Sequence, residues 1–536
     1  MNTWHRATLA AVVTCGALLP FVGKAFHIDD TLFLYTARQI LCDPLRPFDF
    51  EVNWYGTPRP MWEITKNPPL NSYWLAALVG LFGESETALH LGFLPFSVAS
   101  IVLMYLLAAR LTSEPLLPAL MLLASPSFLV SATNVMCDVP LLACWLGSVL
   151  AFMHGLERRD WRLLGLAGVL AGLAGLTKYT GLSLVPLLLA YAWLRRRSLP
   201  KESLVLLIPI VMVGAWSLHG TILQGKSHVL DTTSYQFPRR YSFSSLMVQG
   251  FACLTFTGGC SFGLALLLPW MKKRRWHWAV AALGTVLVSA LTPPALWEDL
   301  GVGHSCLALL MAFAGLMLIC VAVRGAQEGI AGEGALLLLW LAGMLFYVAV
   351  VNWTVAGRFV LLAMPPLILL AMRRAEKSPS VCRWAAVGLS LLLSLALAHS
   401  DCRYAKASAA FAETVRGMVG KHREAVWFTG HWGFQYYVER EGFKPLDLRN
   451  VQAQPGDCVV VPRFGDHVAL PPSLQGRLTG VEGREYPGGP LHVMNPVAHA
   501  GFYTHGQGIL PFSVAAGVPV QAFGLWRVEA HVVRPP

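Results

Sequence analysis

The chain has 536 residues, 55% of them hydrophobic and only 13% charged, with mean hydropathy +0.53. Soluble domains carry about 25% charged residues, so this composition excludes an ordinary soluble protein. The formal charge of +11 invites a nucleic-acid partner, but the basic residues concentrate in short loops between apolar runs, where they report membrane orientation instead.

A hydrocarbon core of about 30 Å takes roughly 20 apolar residues as a helix, fewer where neighbouring helices bury the ends. Thirteen spans are expected, at 7–26, 89–109, 115–131, 136–154, 162–177, 179–194, 203–223, 246–270, 276–296, 304–323, 334–353, 356–372 and 381–399. No small-x-small cleavage site precedes residue 27, so the first is expected to be an uncleaved helix. The apolar run Leu70–Phe82 is short for a span and is expected to lie along the interface, with Tyr73 and Trp74 at headgroup level.

Lys and Arg are unevenly shared between alternate loops. One set, including Arg195–Arg197, residues 272–275 and Arg373–Arg374, holds 18; the other, up to residue 400 and with the longer loops, holds 10. The positive-inside rule then places the N-terminus in the cytoplasm. With thirteen spans, the loops 27–88 and 224–245 and the C-terminal region lie outside. After His399 no spanning run remains. Short β-rich runs (Ala425–Phe428, Cys458–Val461) alternate with Gly/Pro turns around one helix near 405–420, which reads as a small soluble α/β or β-rich domain. Most of the eleven cysteines sit in apolar runs as small hydrophobes. Cys402 and Cys458 fall in the C-terminal region, where an extracytoplasmic location would permit a disulfide. No CxxC or His-rich metal spacing is present.

Three groups of residues carry candidate chemistry, all on the outer side. Asp29 and Asp30 follow the first span, in His27-Ile28-Asp29-Asp30-Thr31. They read either as a helix N-cap or as a general base presented at the membrane surface. Asp138, in Asn134-Val135-Met136-Cys137-Asp138, stands at the outer end of the fourth span, where a carboxylate is a functional candidate by default; its alternative is again an N-cap. Lys66, Lys178, Arg239, Arg240 and Arg358 oppose the inside-positive trend. They either snorkel to headgroups or bind an anion such as phosphate. Gly430-His431-Trp432-Gly433-Phe434-Gln435-Tyr436-Tyr437 reads as a recognition surface or as buried aromatics of a small core.

At these residues the chain resembles the family 39 type of GT-C glycosyltransferases, which includes protein O-mannosyltransferases and the lipid A aminoarabinose transferase. The resemblance rests on Asp29-Asp30-Thr31 with Tyr35, Ala37 and Arg38, and on Lys66-Asn67-Pro68-Pro69-Leu70 with Tyr73-Trp74. It continues through Asp138, Lys178-Tyr179-Thr180-Gly181, and Gly357-Arg358-Phe359 with Pro365. The family commonly has Asp-Glu where this chain has Asp29-Asp30, and Asn67 separates Lys66 from Pro68.

The resemblance covers about residues 7–400 and implies an all-α polytopic membrane protein of GT-C fold, with a catalytic domain over 1–400 and 27–88 as its first outer loop; the domain over 401–536, extracytoplasmic by the topology above, lies beyond it. It implies inverting transfer of a sugar from a polyprenyl-phosphate donor to a hydroxyl of a protein, lipid or polysaccharide. Asp29 would be the base, with Asp30 beside it and Asp138 assisting at the acceptor, and Lys66, Lys178 and Arg358 would be candidates to hold the phosphate; the outer-face pattern of cations adds Arg239 and Arg240 as candidates. Two carboxylates and a phosphate would suit a divalent cation, although no dedicated ligand set is visible. The expected location is a bacterial plasma (inner) membrane, with membrane lipids and no nucleic acid as partners. The competing reading is a transporter or flippase of a lipid-linked glycan, but transporters place polar groups near the midplane and show repeats, whereas these ionisable residues gather at one face.

Overall fold

The computed structural model describes residues 3–236, 242–271, 275–327, 332–419, 425–465 and 468–530. All thirteen apolar segments are built on helix, but they differ in kind. Six helices are long and apolar enough to cross a membrane: Glu86–Leu111, Asp138–Arg158, Lys201–Gln224, Pro294–Ala326, Glu333–Val351 and Ser380–Val419. The other predicted spans are shorter or broken, so length and composition alone do not reach thirteen crossings among the described residues. Leu70–Phe82 is a helix over the expected residues, with Tyr73 and Trp74 partly exposed.

The breaks have local causes. The 115–131 segment divides into Leu116–Leu123 and Pro126–Ser131, because Pro126 has no N–H to continue the ladder. Ser125 caps the second piece by accepting from Phe128 N. The Ala124 carbonyl takes the hydroxyls of Ser390 and Ser394 at 2.8 and 2.7 Å, because an apolar interior offers no water to satisfy it. Glycines set the tightest helix pair. A Cβ on Gly258 would lie 1.9 Å from the Met311 carbonyl oxygen, and one on Gly315 2.4 Å from that of Leu254. Phe243–Cys260 and Pro294–Ala326 therefore touch backbone to backbone, as small-residue packing allows in membranes.

Ser380–Val419 is one 40-residue helix. Residue 400 falls inside it, so continuous helix joins the apolar bundle to the polar C-terminal region. That region holds a five-stranded mixed sheet in the order Lys444–Pro445, Val426–Phe428, Cys458–Pro462, Pro519–Val528, Leu478–Pro487. The first three strands are parallel; Pro519–Val528 runs antiparallel to both its neighbours. Phe523 on this sheet stacks on Phe411 of the long helix at 4.3 Å and on Phe434 at 5.4 Å. Aromatic contacts of this kind pin the sheet to the helix. Cys402 and Cys458 form no disulfide with each other.

The segment 27–88 is also ordered. Its hairpin, Glu51–Asn53 with Pro58–Pro60, is held to the C-terminal region: Asn53 Nδ2 donates to the Leu446 carbonyl at 3.0 Å and Leu448 N to that of Gly56 at 2.8 Å.

Candidate active site

Asp29 sits on a strained turn. Ile28 before it has φ +50°, a left-handed conformation that costs a β-branched residue about 1–3 kcal/mol and is kept only where its surroundings impose it. The imposing partner comes from far along the chain. Gly433 packs so closely that a Cβ there would meet the Phe26 carbonyl oxygen at 2.2 Å, and Trp432 is itself left-handed at φ +59°. Tyr437 Oη accepts from Phe26 N at 2.8 Å. We expect Gly433→Ala to displace this turn and lower the unfolding midpoint of purified protein by the equivalent of about 1–3 kcal/mol; an unchanged midpoint would mean that the two turns do not brace each other.

The helix Asp30–Cys42 begins here, and the N-cap reading of Asp29 meets a direct test. The Asp29 carboxylate makes no capping bond to that helix. Instead Oδ2 accepts from Arg358 Nη2 at 2.7 Å, with the Asp29 side chain still 22% exposed. Asp30 behaves differently. It is fully buried, with Oδ2 accepting from His27 N at 3.1 Å and Oδ1 from Val135 N at 3.0 Å. It does not line the cavity that Asp29 faces; it ties the Asp29 turn to the segment leading into Asp138.

Asp138 occupies the first turn of Asp138–Arg158 and makes no cap either: its Oδ1 accepts from Lys178 Nζ at 2.7 Å. Lys178 lies in the short break between Trp161–Thr177 and the 3-10 turn Tyr179–Ser183, and its ammonium also stands 4.1 Å from the Phe359 ring centre. Arg358 is on the one-turn helix Gly357–Val360. Lys66 is paired with Asp231 at 2.9 Å and lies 4.9 Å from the Tyr235 ring centre. Arg239 and Arg240 lie outside the described residues.

Asp29, Lys66, Lys178 and Arg358 line one cavity of about 320 Å³. Asp30 and Asp138 do not line it; Asp138 lines a smaller pocket with Lys178 and Arg358. A second cavity of about 500 Å³ adjoins it, sharing Tyr179, Thr180, Thr232 and Tyr347, and is walled by apolar side chains including Leu187, Leu339 and Met344. At Tyr179, which lines both cavities, a chain of bonds begins: Trp216 Nε1 donates to Tyr179 Oη at 2.9 Å, Tyr179 Oη donates to His228 Nδ1 at 2.6 Å, and His228 Nε2 donates to the Thr65 carbonyl at 3.1 Å. This chain fixes the imidazole tautomer and holds the backbone beside Lys66. Among the described residues, no group of three or more His, Cys, Asp or Glu side chains is arranged to hold a metal ion.

A buried polar cluster behind Asp29 was not singled out by the sequence reading. Lys24 is fully buried and donates to Asp401 Oδ2, to Asn134 Oδ1 at 2.6 Å and to Thr133 Oγ1 at 3.1 Å. His27 Nε2 lies 3.2 Å from both Asp401 oxygens, and Tyr503, which lines the cavity, donates to Asp401 Oδ2 at 2.7 Å. The available signal was a lone lysine at the end of the first apolar run and a lone aspartate just past the last; nothing local marks them as partners. The GHWG stretch divides between its two readings: His431 and Trp432 line the cavity, while Phe434, Tyr436 and Tyr437 are buried.

Two histidines outside the spans are held neutral. Burial pushes His228 down to about 4, and burial pushes His505 down to about 4 as well. His505 Nδ1 accepts from Val355 N at 3.0 Å, which requires the ring nitrogen to be unprotonated. The unfolded chain takes up these protons near pH 6.5 and the folded one only near pH 4, so stability is complete above about pH 6.5 and falls between there and pH 4. Thermal unfolding in detergent is expected to show that decline. His505→Asn, whose Oδ1 can accept the same bond without titrating, should make it shallower; an equally steep decline would remove His505 as a contributor.

Fold and cavity together define a polytopic helical membrane protein with a charged cavity beside an apolar one and a β-rich C-terminal region. Residues 66–218 match the family model described as Dolichyl-phosphate-mannose-protein mannosyltransferase. That stretch contains Lys66, Asp138 and Lys178, with Asp29 before it and Arg358 after it, and it agrees with the GT-C resemblance seen in the motifs. Among solved structures, the chain is similar to ArnT from Cupriavidus metallidurans bound to undecaprenyl phosphate, at 16% identity over 85% of this chain and 92% of that one, with TM-score 0.44. It is similar to the oligosaccharyltransferase AglB from Archaeoglobus fulgidus in complex with an inhibitory peptide and a dolichol-phosphate, at 14% identity over 83% and 64%, with TM-score 0.46. It is also similar to the arabinosyltransferase EmbB from Mycobacterium smegmatis, at 16% identity over 92% and 47%, with TM-score 0.35. No match is found among curated proteins.

Proposed function

We propose that this protein is an integral-membrane glycosyltransferase that moves a sugar from a polyprenyl-phosphate donor to an acceptor hydroxyl at the extracytoplasmic face. The observation that carries the reading is the convergence of the Asp29 carboxylate with three cations, Lys66, Lys178 and Arg358, in a cavity that adjoins an apolar one. A lipid-linked sugar phosphate has the matching parts: an anionic centre for the cations, a chain for the apolar cavity, and a reacting sugar between them.

In this scheme Asp29 takes the acceptor's proton as the hydroxyl oxygen bonds to the anomeric carbon. The carbon–oxygen bond to phosphate breaks, and polyprenyl phosphate leaves with the electron pair. A single displacement inverts the anomeric centre. Arg358, forked and already directed at the site, offsets the charge growing on the departing phosphate. Asp138 acts on Lys178, fixing its ammonium, and Asp30 holds the Asp29 turn. The C-terminal region, 401–536, lies on the same outer side and completes the cavity.

The test is to incubate purified protein with a panel of labelled polyprenyl-phosphate sugars and candidate acceptors, and to follow release of polyprenyl phosphate. Release with one donor and not others supports the reading and names the sugar. A protein that moves the intact lipid-linked glycan across vesicles without cleaving it would instead be the transporter.

A further inference from the structure

Besides the cations, aromatic rings line the cavity. Trp54 and Tyr55 from the first-loop hairpin meet His431 from the C-terminal region with ring centres 5.3 and 5.8 Å apart, and His431 meets Trp432 at 4.8 Å. All four line the cavity with Asp29, and so do Glu63 and Gln507. We infer that this array of rings is an acceptor subsite for a saccharide, so that the hydroxyl presented to Asp29 belongs to a sugar. The inference deepens the transferase reading and rests on it for the reaction, though not for binding.

Three observations carry it. The rings are held at a cost in backbone strain: Trp432 occupies the left-handed region at φ +59°, a conformation that persists at ligand clamps because the surroundings over-determine it. The walls are clasped together by close backbone packing. Gly56, at φ +82°, packs where a Cβ would meet the Leu448 side chain at 2.4 Å, and Gly433 packs on the Asp29 turn itself. The chemistry of the wall also suits sugars. A pyranose presents a face of C–H groups made slightly positive by neighbouring oxygens, which the negative face of an aromatic ring attracts, and its rim of hydroxyls finds the Glu63 carboxylate and the Gln507 amide.

A peptide acceptor would look for a strand edge to pair with. Among the described residues, none that lines the cavity belongs to a strand, so a peptide finds no edge there. A phosphorylated lipid acceptor would bring its charge toward Glu63. A saccharide meets neither obstacle.

The experiment uses the full chain in detergent. Saturation-transfer difference NMR with cellotetraose, maltotetraose, chitotriose and mannotriose reports sugar protons lying on the rings. The same saccharides, a Ser/Thr-rich decapeptide and a lipid-linked glucosamine phosphate are each tested for stimulating release of polyprenyl phosphate. At least one saccharide is expected to give a transfer signal and to stimulate release. Trp432→Ala and Tyr55→Ala should each raise that saccharide's KM by about tenfold, as loss of a stacked ring does, with kcat little changed. Trp432→Phe should recover most of the loss. Because Tyr55 is 54% exposed, its truncation leaves the core intact. The assignment is overturned if no saccharide in the panel gives a signal or stimulates release, if only the peptide or the lipid stimulates, or if KM is unmoved in Trp432→Ala. A saccharide signal with no release from any donor leaves the subsite standing and sinks the transferase reading instead.

Discussion

Asp29→Asn is expected to lower sugar transfer by about 100- to 10,000-fold, the range that a positioned general base contributes. Asparagine keeps an oxygen that can accept from Arg358 Nη2, the bond of 2.7 Å seen for the carboxylate, so the turn and the arginine should stay in place. What is lost is the capacity to take a proton. The fall should therefore appear in kcat, with donor KM changing little and the unfolding midpoint close to that of the unsubstituted protein. The cost to stability falls on Arg358, 9% exposed, which loses its charged partner, and the hydrogen bond that asparagine keeps holds it below the about 3–5 kcal/mol of a fully broken buried pair. Turnover of Asp29→Asn at the original rate would remove Asp29 from the base's role.

The second large effect concerns folding. Asp401→Ala removes the carboxylate facing Lys24, and both side chains are fully buried. Breaking one half of such a pair strands the other charge and costs about 3–5 kcal/mol, a large share of a typical total stability of about 5–15 kcal/mol. The same change frees the hydroxyl of Tyr503, which lines the cavity, and one partner of His27, two residues before Asp29. The variant is thus expected to show a depressed unfolding midpoint and poor recovery from the membrane. The double substitution Lys24→Met with Asp401→Leu should recover part of the loss, since it leaves no charge unpaired and fills similar volume. If Asp401→Ala unfolds at the unsubstituted midpoint, or the double variant is worse than the single, the cluster does not hold the fold in this way.

Both experiments concern residues whose legibility in the sequence differed. Asp29 stood out because charge beside an apolar run is costly and needs a reason. Asp401 did not, because it lies where an apolar helix runs on into a polar one, and a single carboxylate there looks like an ordinary boundary residue. Its partner, Lys24, is 377 positions away. The cations show the same division. Their positions against the inside-positive trend marked Lys66, Lys178 and Arg358, but the sequence offered no sign that Lys178 is paired with Asp138 or that Arg358 reaches Asp29.

What the sequence determined by itself is what depends on neighbours along the chain. Hydropathy placed the helical segments, a helix formed over Leu70–Phe82, and the β-rich runs Ala425–Phe428 and Cys458–Val461 contain the neighbouring parallel strands Val426–Phe428 and Cys458–Pro462. It left open whether Asp29 and Asp138 are caps, because capping and cavity-facing aspartates look alike in sequence. The tertiary structure decided that against capping, by bringing Arg358 and Lys178 to them. It also moved Asp30 into the interior, and carried His431, Trp432 and Tyr503 into the cavity from more than 400 residues beyond Asp29. Local pattern specifies helices and strands because their hydrogen bonds close within a few residues. The cavity is specified by which distant turns touch, and those contacts leave no periodic trace.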